Sequence, residues 1–180
     1  KHPFSPAFLR AEWTDVVDAW GLATWEQYRD VARLGRKVRL SEKQRRTLWS
    51  ILAPVRARLD DEGLTTPAGV FETAAAAVRA GDSPYAFTVV DESQDLTVAQ
   101  LRLLAAIAGG APDGLFLTGD LGQRIFQAPF SWKSLGVEIR GRSHTLRINY
   151  RTSHQIRRHA DRLLPATLAD VDGNAEGRLG

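Results

Sequence analysis

The sequence predicts an α/β fold that is preceded by an all-helical segment. Two observations support this prediction. The first 80 residues form a succession of amphipathic helical patterns, each bounded by a capping residue and a breaker. After position 84, short apolar runs rich in β-branched residues flank a helical pattern, which is typical of buried parallel strands joined by a helix.

The composition is that of a chain with a substantial core. The 180 residues suffice for one ordinary domain or two small ones, and 43% of them are apolar. No apolar run approaches the roughly 20 residues of a membrane span, and the N-terminus lacks the pattern of a secretory signal. Cysteine is absent, which excludes disulfides and thiolate metal sites, and the four histidines are scattered. We therefore expect a cytoplasmic protein without a membrane partner.

Charge is distributed in three blocks. Residues 29–58 carry ten Lys and Arg against two acids, and residues 140–162 carry seven Arg against one acid. Residues 82–120 carry six acids, with Arg102 as their sole cation. This layout indicates a polyanion partner beside an acidic cation-binding site. An Arg-rich surface that is merely solvated is the alternative.

Four helices are predicted in the first 80 residues, each with a Ser or Thr N-cap and a glycine at its end. The predicted caps are Ser5, Thr24, Ser41 and Thr66, and the predicted ends are Gly21, Gly35, Gly63 and Gly81. Pro54 lies inside the third helix and is expected to kink it. The apolar helical faces carry Trp13, Trp20, Trp25 and Trp49, which we expect in the core.

Strands are predicted over residues 85–90, 115–118 and 145–148, because these runs are short, apolar and rich in β-branched or aromatic residues. A helix that is capped by Thr97 and ended by Gly109 joins the first two strands. The remaining predictions are one helical turn over 131–135, a helix after Ser153, and a frayed or linking tail over 166–180.

Polar clusters follow the three predicted strands, over residues 91–95, 119–124 and 149–151. Ligands of parallel sheets bind at the carboxyl ends of the strands. An Asp-Glu pair directly after an apolar strand is the pattern of a nucleotide hydrolase, in which one carboxylate holds hydrated Mg²⁺ and the next activates water. For Asp91 and Glu92 taken alone, acids that merely decorate a helix N-terminus are the alternative.

The ordered set of three clusters resembles the UvrD/Rep-like superfamily 1 helicases. Residues 89–95 (VVDESQD) are similar to their motif II, residues 118–126 (TGDLGQRIF) to motif III, and residues 146–153 (LRINYRTS) to motif IV. The resemblance covers residues 85–160, and it implies part of a RecA-like P-loop NTPase lobe with parallel strands. Residues 1–80 match only in being helical, as the subdomain inserted into the first lobe of these enzymes is.

The resemblance divides the chain into three parts. Residues 1–80 correspond to the helical insert subdomain. Residues 81–148 correspond to the C-terminal half of the first RecA-like ATPase lobe, and residues 149–180 to the start of the second lobe with a tail.

The resemblance also implies roles for individual residues. Asp91 is similar to the Mg²⁺-coordinating acid, and Glu92 to the general base that orients the attacking water. Gln123 is similar to the glutamine that senses the γ-phosphate and links it to bound DNA, and Arg151 to the arginine that reaches the γ-phosphate. Tyr150 is similar to the tyrosine that packs on adenine, with a core position as the alternative.

Three further polar residues complete the implied nucleotide site. Gln94 and Asp95 look like residues that couple the site to its surroundings, and Gln94 and Asp120 are expected to contribute to nucleotide binding. Phosphoryl transfer needs a metal, a positioned water and cations that stabilise the equatorial charge, and the implied set supplies these functions.

The aromatic contacts to DNA depart from the family pattern. Phe126 stands where the family commonly has a tyrosine, and Ala128 stands where it has a base-stacking aromatic residue. Phe130 and Trp132 are candidate substitutes, because stacking on a single-stranded base needs only an exposed ring. Burial in the core is the alternative for both.

The basic segment supplies candidate phosphate contacts. Arg36, Lys37 and Arg39 lie in its centre and are expected to contact nucleic-acid phosphates. A solvated face or a protein contact is the alternative. The other cations of the segment are Arg33, Lys43, Arg45 and Arg46.

One essential element of the family is missing from the sequence. No Gly-x-x-x-x-Gly-Lys-Ser/Thr loop occurs, so the sequence contains no backbone cradle and no lysine for the β- and γ-phosphates. In the family this loop lies upstream of the helical insert, and methionine is absent here even from position 1. The chain is therefore expected to be a piece of a longer protein. A degenerate, non-catalytic protein is the alternative.

Two functional hypotheses follow. In the first, the chain is a fragment of an ATP-dependent DNA helicase that couples Mg-ATP hydrolysis to movement along single-stranded DNA, 3′ to 5′ as the family implies. ATP and Mg²⁺ are the implied cofactors, single-stranded or partly duplex DNA is the implied partner, and RNA polymerase and DNA repair proteins are further candidate partners. In the second, the chain is a non-catalytic module that binds nucleic acid or RNA polymerase. The isolated chain is expected to be inactive as an ATPase under either hypothesis.

Overall fold

Helices fill most of the first 80 residues of the structure, a computed structural model. α1 spans Pro6–Glu12 and continues into a π-helical stretch over Trp13–Asp18. α2 spans Trp25–Asp30, α3 spans Glu42–Asp61 and α4 spans Pro67–Ala80. The structure describes residues 3–34, 36, 38–81, 83, 85–120, 130–139, 141–146, 148, 150–163, 167–169, 172–173 and 175–177.

The predicted N-caps are confirmed at the start of each of these helices. The side chains of Ser5, Thr24, Ser41 and Thr66 each accept a hydrogen bond from a backbone N–H of the first helical turn. Thr24 with Gln27 and Ser41 with Gln44 form complete capping boxes. Pro54 lies inside α3, which continues as a helix to Asp61.

The second helix is shorter than the sequence predicts. α2 ends at Asp30, and Gly35 lies outside the described residues. The Arg45 guanidinium of α3 donates hydrogen bonds to three carbonyl oxygens at this end, those of Tyr28, Arg29 and Val31, at 2.9, 2.9 and 3.1 Å. A side chain from another helix therefore satisfies carbonyl groups that a further helical turn would otherwise have satisfied.

The first hydrophobic core lies among α1, the π-helical stretch, α2 and α3. Its buried members are Val16, Val17, Leu22, Tyr28, Leu48 and Leu52. The four tryptophans expected in the core all pack against this cluster, although each is only partly buried. Tyr28 stacks on Trp49 with ring centroids 5.5 Å apart. The apolar faces of the first three predicted helices therefore contribute to one core, whereas α4 packs against α5.

A strand–helix–strand unit follows the helices. β1 (Thr88–Val90) and β2 (Leu115–Leu117) pair in parallel, with Val89 opposite Phe116. α5 (Val98–Ala108) connects them, begins with a complete capping box at Thr97, and ends at Gly109 in the left-handed conformation, at φ 59°. The predicted first two strands are confirmed, although each is shorter than its apolar run. The described fold is thus a mixed helix–strand architecture compatible with the α/β class.

A second hydrophobic core covers one side of α5. Its buried members are Val98, Leu101, Phe130, Trp132 and Leu135. α5 also packs against α4, and Trp20 contacts both cores. Arg102 of α5 donates hydrogen bonds to the Trp20 carbonyl oxygen at 2.8 Å and to Glu72 of α4 at 2.7 Å. The helical part and the strand–helix–strand unit are therefore joined by apolar packing and by an ion pair.

The predicted third strand is wrong. The described residues of the 145–148 run lie in no strand, and Leu146 and Ile148 are 94% and 67% exposed. An apolar run becomes a strand only where a neighbouring strand accepts its hydrogen bonds. Among the residues that the structure describes, β1 and β2 pair with each other and not with this run. The helix predicted after Ser153 is present as α6 (His154–Asp161).

Two short strands form in the part of the tail that the structure describes, where the sequence predicts a frayed end or a linker. β3 (Thr167–Ala169) and β4 (Ala175–Gly177) pair antiparallel. Between them, Asp172 accepts hydrogen bonds from the Ser131 hydroxyl and from the Lys133 N–H at 3.1 Å, beside a 3₁₀ turn over Lys133–Leu135. Burial raises the pKa of Asp172, but these hydrogen bonds outweigh it, so the pKa lies below its usual value. The contact spans 41 positions of sequence and has no local signature.

A helix that crosses a membrane must be both long and apolar. Within the described ranges, no helix is both long enough and apolar enough to cross a membrane.

Candidate functional site

The carboxyl ends of β1 and β2 lie side by side, as the parallel pairing requires. The Thr118 N–H donates to the Val90 carbonyl oxygen at 2.8 Å, and the Ser93 N–H donates to the Thr118 carbonyl oxygen at 2.8 Å. The polar segments 91–95 and 118–120 are therefore hydrogen-bonded to each other. The two clusters thus lie together at the carboxyl edge of the parallel pair.

Asp91 is exposed and is oriented through one of its two oxygens. Its Oδ1 accepts hydrogen bonds from the Thr118 hydroxyl and from the Glu92 N–H, the latter at 2.9 Å. The Thr118 hydrogen bond first, and the Glu92 hydrogen bond second, hold the pKa of the Asp91 carboxyl below its usual value against a small opposing effect of burial. At neutral pH Asp91 is therefore a carboxylate with a defined orientation.

Glu92 has an unusual backbone conformation. Its φ and ψ are 53° and 41°, in the left-handed region that costs a residue with a Cβ roughly 1 kcal/mol. The Gln94 side-chain amide donates to Glu92 Oε2 at 2.6 Å. This hydrogen bond holds the Glu92 carboxylate beside the Gln94 amide.

Gln94 connects the two polar segments. Its side chain is 4% exposed, and its Oε1 accepts a hydrogen bond from the Asp120 N–H at 3.0 Å. Because the nitrogen of the same amide donates to Glu92, Gln94 links the Glu92 carboxylate to the backbone that follows β2. Two of the residues predicted for nucleotide binding, Gln94 and Asp120, are thus brought together with the predicted general base.

Gly119 permits this close approach. A Cβ at this position would lie 2.5 Å from Gln94 Oε1 and 2.8 Å from Ser93 Oγ, with the Ser93 backbone nitrogen at 3.2 Å. The sequence by itself suggests no specific role for Gly119 or for Thr118. A glycine directly after a short strand is the signal that could have indicated a close backbone approach.

Replacing Gly119 by Ala is expected to push the Gln94 amide out of its place. The loss of its two hydrogen bonds and the overpacking are expected to lower the free energy of unfolding by about 1–3 kcal/mol. Gly81→Ala is the matched control, because a Cβ there would approach the Ala77 carbonyl oxygen only to 3.7 Å. Urea unfolding followed by circular dichroism measures both, and equal effects of the two substitutions would contradict the role of Gly119.

The remaining predicted ATPase residues lie elsewhere in the chain. Gln123 lies outside the described residues. Tyr150 and Arg151 precede α6 and are exposed, Tyr150 to 89%. The contacts that orient Asp91 and Glu92 come from the segments after β1 and β2 and not from this pair. The described site therefore consists of residues from the segments that follow β1 and β2.

The aromatic candidates for base stacking are placed in the core. Phe130 and Trp132 are 1% and 6% exposed, and their rings meet edge to face at a centroid distance of 4.9 Å. Both pack in the second core beside Leu101. Their faces contact protein, so the structure favours burial over the base-stacking role. Phe126, the third candidate, lies outside the described residues.

One of the three central cations of the basic segment binds side chains of the protein itself. Arg36 binds Asp15 at 2.9 Å, lies 3.5 Å from Glu12, and has its guanidinium over the Phe8 ring. The expected phosphate contact of Arg36 is therefore corrected to a structural one within the helical core. Arg39 is exposed and stays a candidate, and Lys37 lies outside the described residues. Sequence reasoning missed this because the two carboxylates lie about 20 positions upstream.

The ionised Asp91 has the chemistry of a single carboxylate ligand to a hard cation. Within the part of the chain that the structure describes, no group of three or more His, Cys, Asp or Glu side chains could hold a metal. Mg²⁺ is typically bound by one or two carboxylates together with waters and substrate phosphates. Asp91, with one oxygen held by hydrogen bonds, fits such a site better than it fits an all-protein metal cage.

The comparisons with known proteins add no relative. No protein-family model, no curated protein and no solved structure matches this chain.

Proposed function

We propose that this chain is the part of a UvrD-like, ATP-dependent DNA helicase that carries its second, third and fourth motifs. The observation that supports this most is made at the carboxyl ends of two parallel strands. There Thr118 donates a hydrogen bond to Asp91, and the Gln94 amide links the Glu92 carboxylate to the Asp120 N–H. In this proposal the strand–helix–strand unit belongs to a RecA-like lobe, and the preceding helices form its inserted subdomain. The proposed location is the cytoplasm.

The two carboxylates have separate roles in the proposed reaction. Asp91 contributes an ionised oxygen to hydrated Mg²⁺, which neutralises charge on the phosphates when it is bound. Glu92 accepts a hydrogen bond from the attacking water and takes up its proton as the bond from water to the γ-phosphorus forms. The bond from that phosphorus to the β–γ bridging oxygen breaks in the same transfer, and ADP leaves with that oxygen. Gln94 holds the Glu92 carboxylate in the hydrogen bond measured at 2.6 Å, so that its orientation is set before substrate binds.

The fourth motif supplies the remaining nucleotide contacts in this proposal. Arg151 places its guanidinium on the γ-phosphate and stabilises the charge that develops on the equatorial oxygens. Tyr150, which is 89% exposed, offers its ring face to adenine. Gln123 couples the γ-phosphate to single-stranded DNA. Arg39, an exposed cation of the basic segment, contacts the DNA backbone.

The experiment that tests this proposal is ATP hydrolysis by the full-length protein that contains this sequence. The 180 residues contain no phosphate-binding loop, so hydrolysis is proposed for that protein and not for this chain by itself. We expect Mg²⁺-dependent turnover that single-stranded DNA strongly stimulates. Binding of DNA or RNA polymerase without hydrolysis would overturn the proposal and favour a non-catalytic binding module.

A further inference from the structure

Thr118 is fixed relative to Asp91 by its backbone. Its N–H donates to the Val90 carbonyl oxygen, and its carbonyl oxygen accepts from the Ser93 N–H, both at 2.8 Å. These two bonds attach Thr118 to the chain on either side of Asp91. The position of its Cβ relative to the Asp91 carboxylate is therefore set by the main chain.

The Thr118 side chain adds a directed donor. A β-branched residue has few allowed χ1 rotamers, so the hydroxyl of a threonine with a fixed backbone points in a defined direction. This hydroxyl donates to Asp91 Oδ1, which also accepts from the Glu92 N–H. Among the residues that the structure describes, no hydrogen bond is made to Asp91 Oδ2. One carboxylate oxygen is thus occupied and the other is left for a cation.

Folding by itself does not require this hydrogen bond. Thr118 and Asp91 are both exposed, so water is able to satisfy either group if the bond is lost. A bond between two exposed groups contributes little to stability but still restricts the rotation of the carboxylate about its side chain. Hydrogen bonds of this kind orient carboxylate ligands in metal sites.

We propose that Thr118 is the residue that positions Asp91 for the metal, by holding Oδ1 so that Oδ2 would be available to a Mg²⁺ that binds with the nucleotide. This inference rests on the proposed function and deepens it. It assigns a role to the first residue of the third motif, a residue that carries no carboxylate and has no proposed contact with the nucleotide. Thr118 touches neither the substrate nor the metal and acts only through Asp91.

The test compares Thr118→Val with Thr118→Ser in the full-length protein. Valine has the shape of threonine without the hydroxyl, and serine keeps the hydroxyl. Binding of Mn²⁺ alone is followed by the loss of its free-ion electron paramagnetic resonance signal, with Asp91→Asn as the blank. The Mg²⁺ concentration for half-maximal ATP hydrolysis and the turnover at saturating Mg²⁺ are measured on the same variants.

The expected pattern separates positioning from folding. Thr118→Val is expected to weaken Mn²⁺ binding and to raise the half-maximal Mg²⁺ concentration by roughly three- to tenfold, with turnover at saturating Mg²⁺ nearly restored. Thr118→Ser is expected to behave like the unsubstituted protein. Wild-type behaviour of Thr118→Val, or a Thr118→Ser variant as impaired as Thr118→Val, would overturn the role of the hydroxyl.

The blank distinguishes failure of this inference from failure of the proposed function. If Asp91→Asn abolishes Mn²⁺ binding while Thr118→Val does not change it, Asp91 is a metal ligand and only the role of Thr118 is overturned. If Asp91→Asn binds Mn²⁺ as well as the unsubstituted protein, the metal assignment of the proposed function is overturned, and the role of Thr118 with it.

Discussion

Glu92→Gln is expected to reduce the ATP turnover of the full-length protein by about 100-fold or more, because a positioned general base typically contributes that much. Gln has the size of Glu but no basic carboxylate to take the proton of the attacking water. Nucleotide binding is expected to change little, since in the proposed mechanism Glu92 contacts the water and Asp91 contacts the metal. Steady-state hydrolysis together with equilibrium nucleotide binding measures the two effects separately.

Asp113→Asn is the control for this substitution. The Asp113 side chain is 87% exposed. Asp113 precedes β2 and Glu92 follows β1, so the two residues lie at opposite edges of the parallel pair. A general loss of negative charge would lower turnover in both variants, whereas loss of the general base lowers it in Glu92→Gln alone. Full turnover in Glu92→Gln would exclude Glu92 as the base and would leave the oriented carboxylates without their proposed chemistry.

Glu12→Ala is expected to produce the largest loss of stability in the helical part of the chain, about 3–5 kcal/mol, because it leaves a buried charge unpaired. Glu12 is fully buried, and Arg33, which binds it through two nitrogens, has a side chain only 5% exposed. The Tyr28 hydroxyl also donates to Glu12, at 2.8 Å. Burial first, and the neighbouring Glu12 carboxylate second, raise the pKa of Tyr28 above its usual value.

Thermal and urea unfolding measure the stability of this variant against two comparisons. Glu42→Ala removes an exposed carboxylate from an i,i+4 pair with Arg46, and such surface pairs contribute at most about 1 kcal/mol. Glu12→Gln keeps the shape and the hydrogen-bond acceptor, so an intermediate loss is expected. If Glu12→Ala were no more damaging than Glu42→Ala, the buried ion pair would not be a determinant of this fold.

Local signals predicted the helices of this protein well. The caps at Thr24, Ser41 and Thr97 were read correctly because a capping box is formed by residues three positions apart and needs no distant partner. The end of α2 was predicted less accurately, because a side chain that is distant in sequence binds the carbonyl groups there. Arg45 satisfies the carbonyl groups at the end of α2, and no local pattern around Asp30 indicates this.

The burial of side chains and the pairing of strands were harder to predict from the sequence. The rings of Phe130 and Trp132 could have been exposed for base stacking or buried, and only their contacts with α5 distinguished the two. The 145–148 run has the composition of a strand, but composition does not provide a hydrogen-bonded neighbour. The charge of Arg36 was visible in the sequence, whereas its partners Glu12 and Asp15 were not.

Local sequence patterns are sufficient to predict the helix starts, the first two strands, and the carboxylates at the carboxyl end of β1, because these depend on neighbouring residues and on the periodicity of apolar side chains. The hydrogen bonds that hold the candidate site follow only from contacts between distant parts of the chain. The hydrogen bond from Thr118 to Asp91 joins residues 27 positions apart, and the space at Gly119 is filled by the amide of Gln94. Such contacts arise when β2 pairs with β1, and no spacing along the chain encodes them.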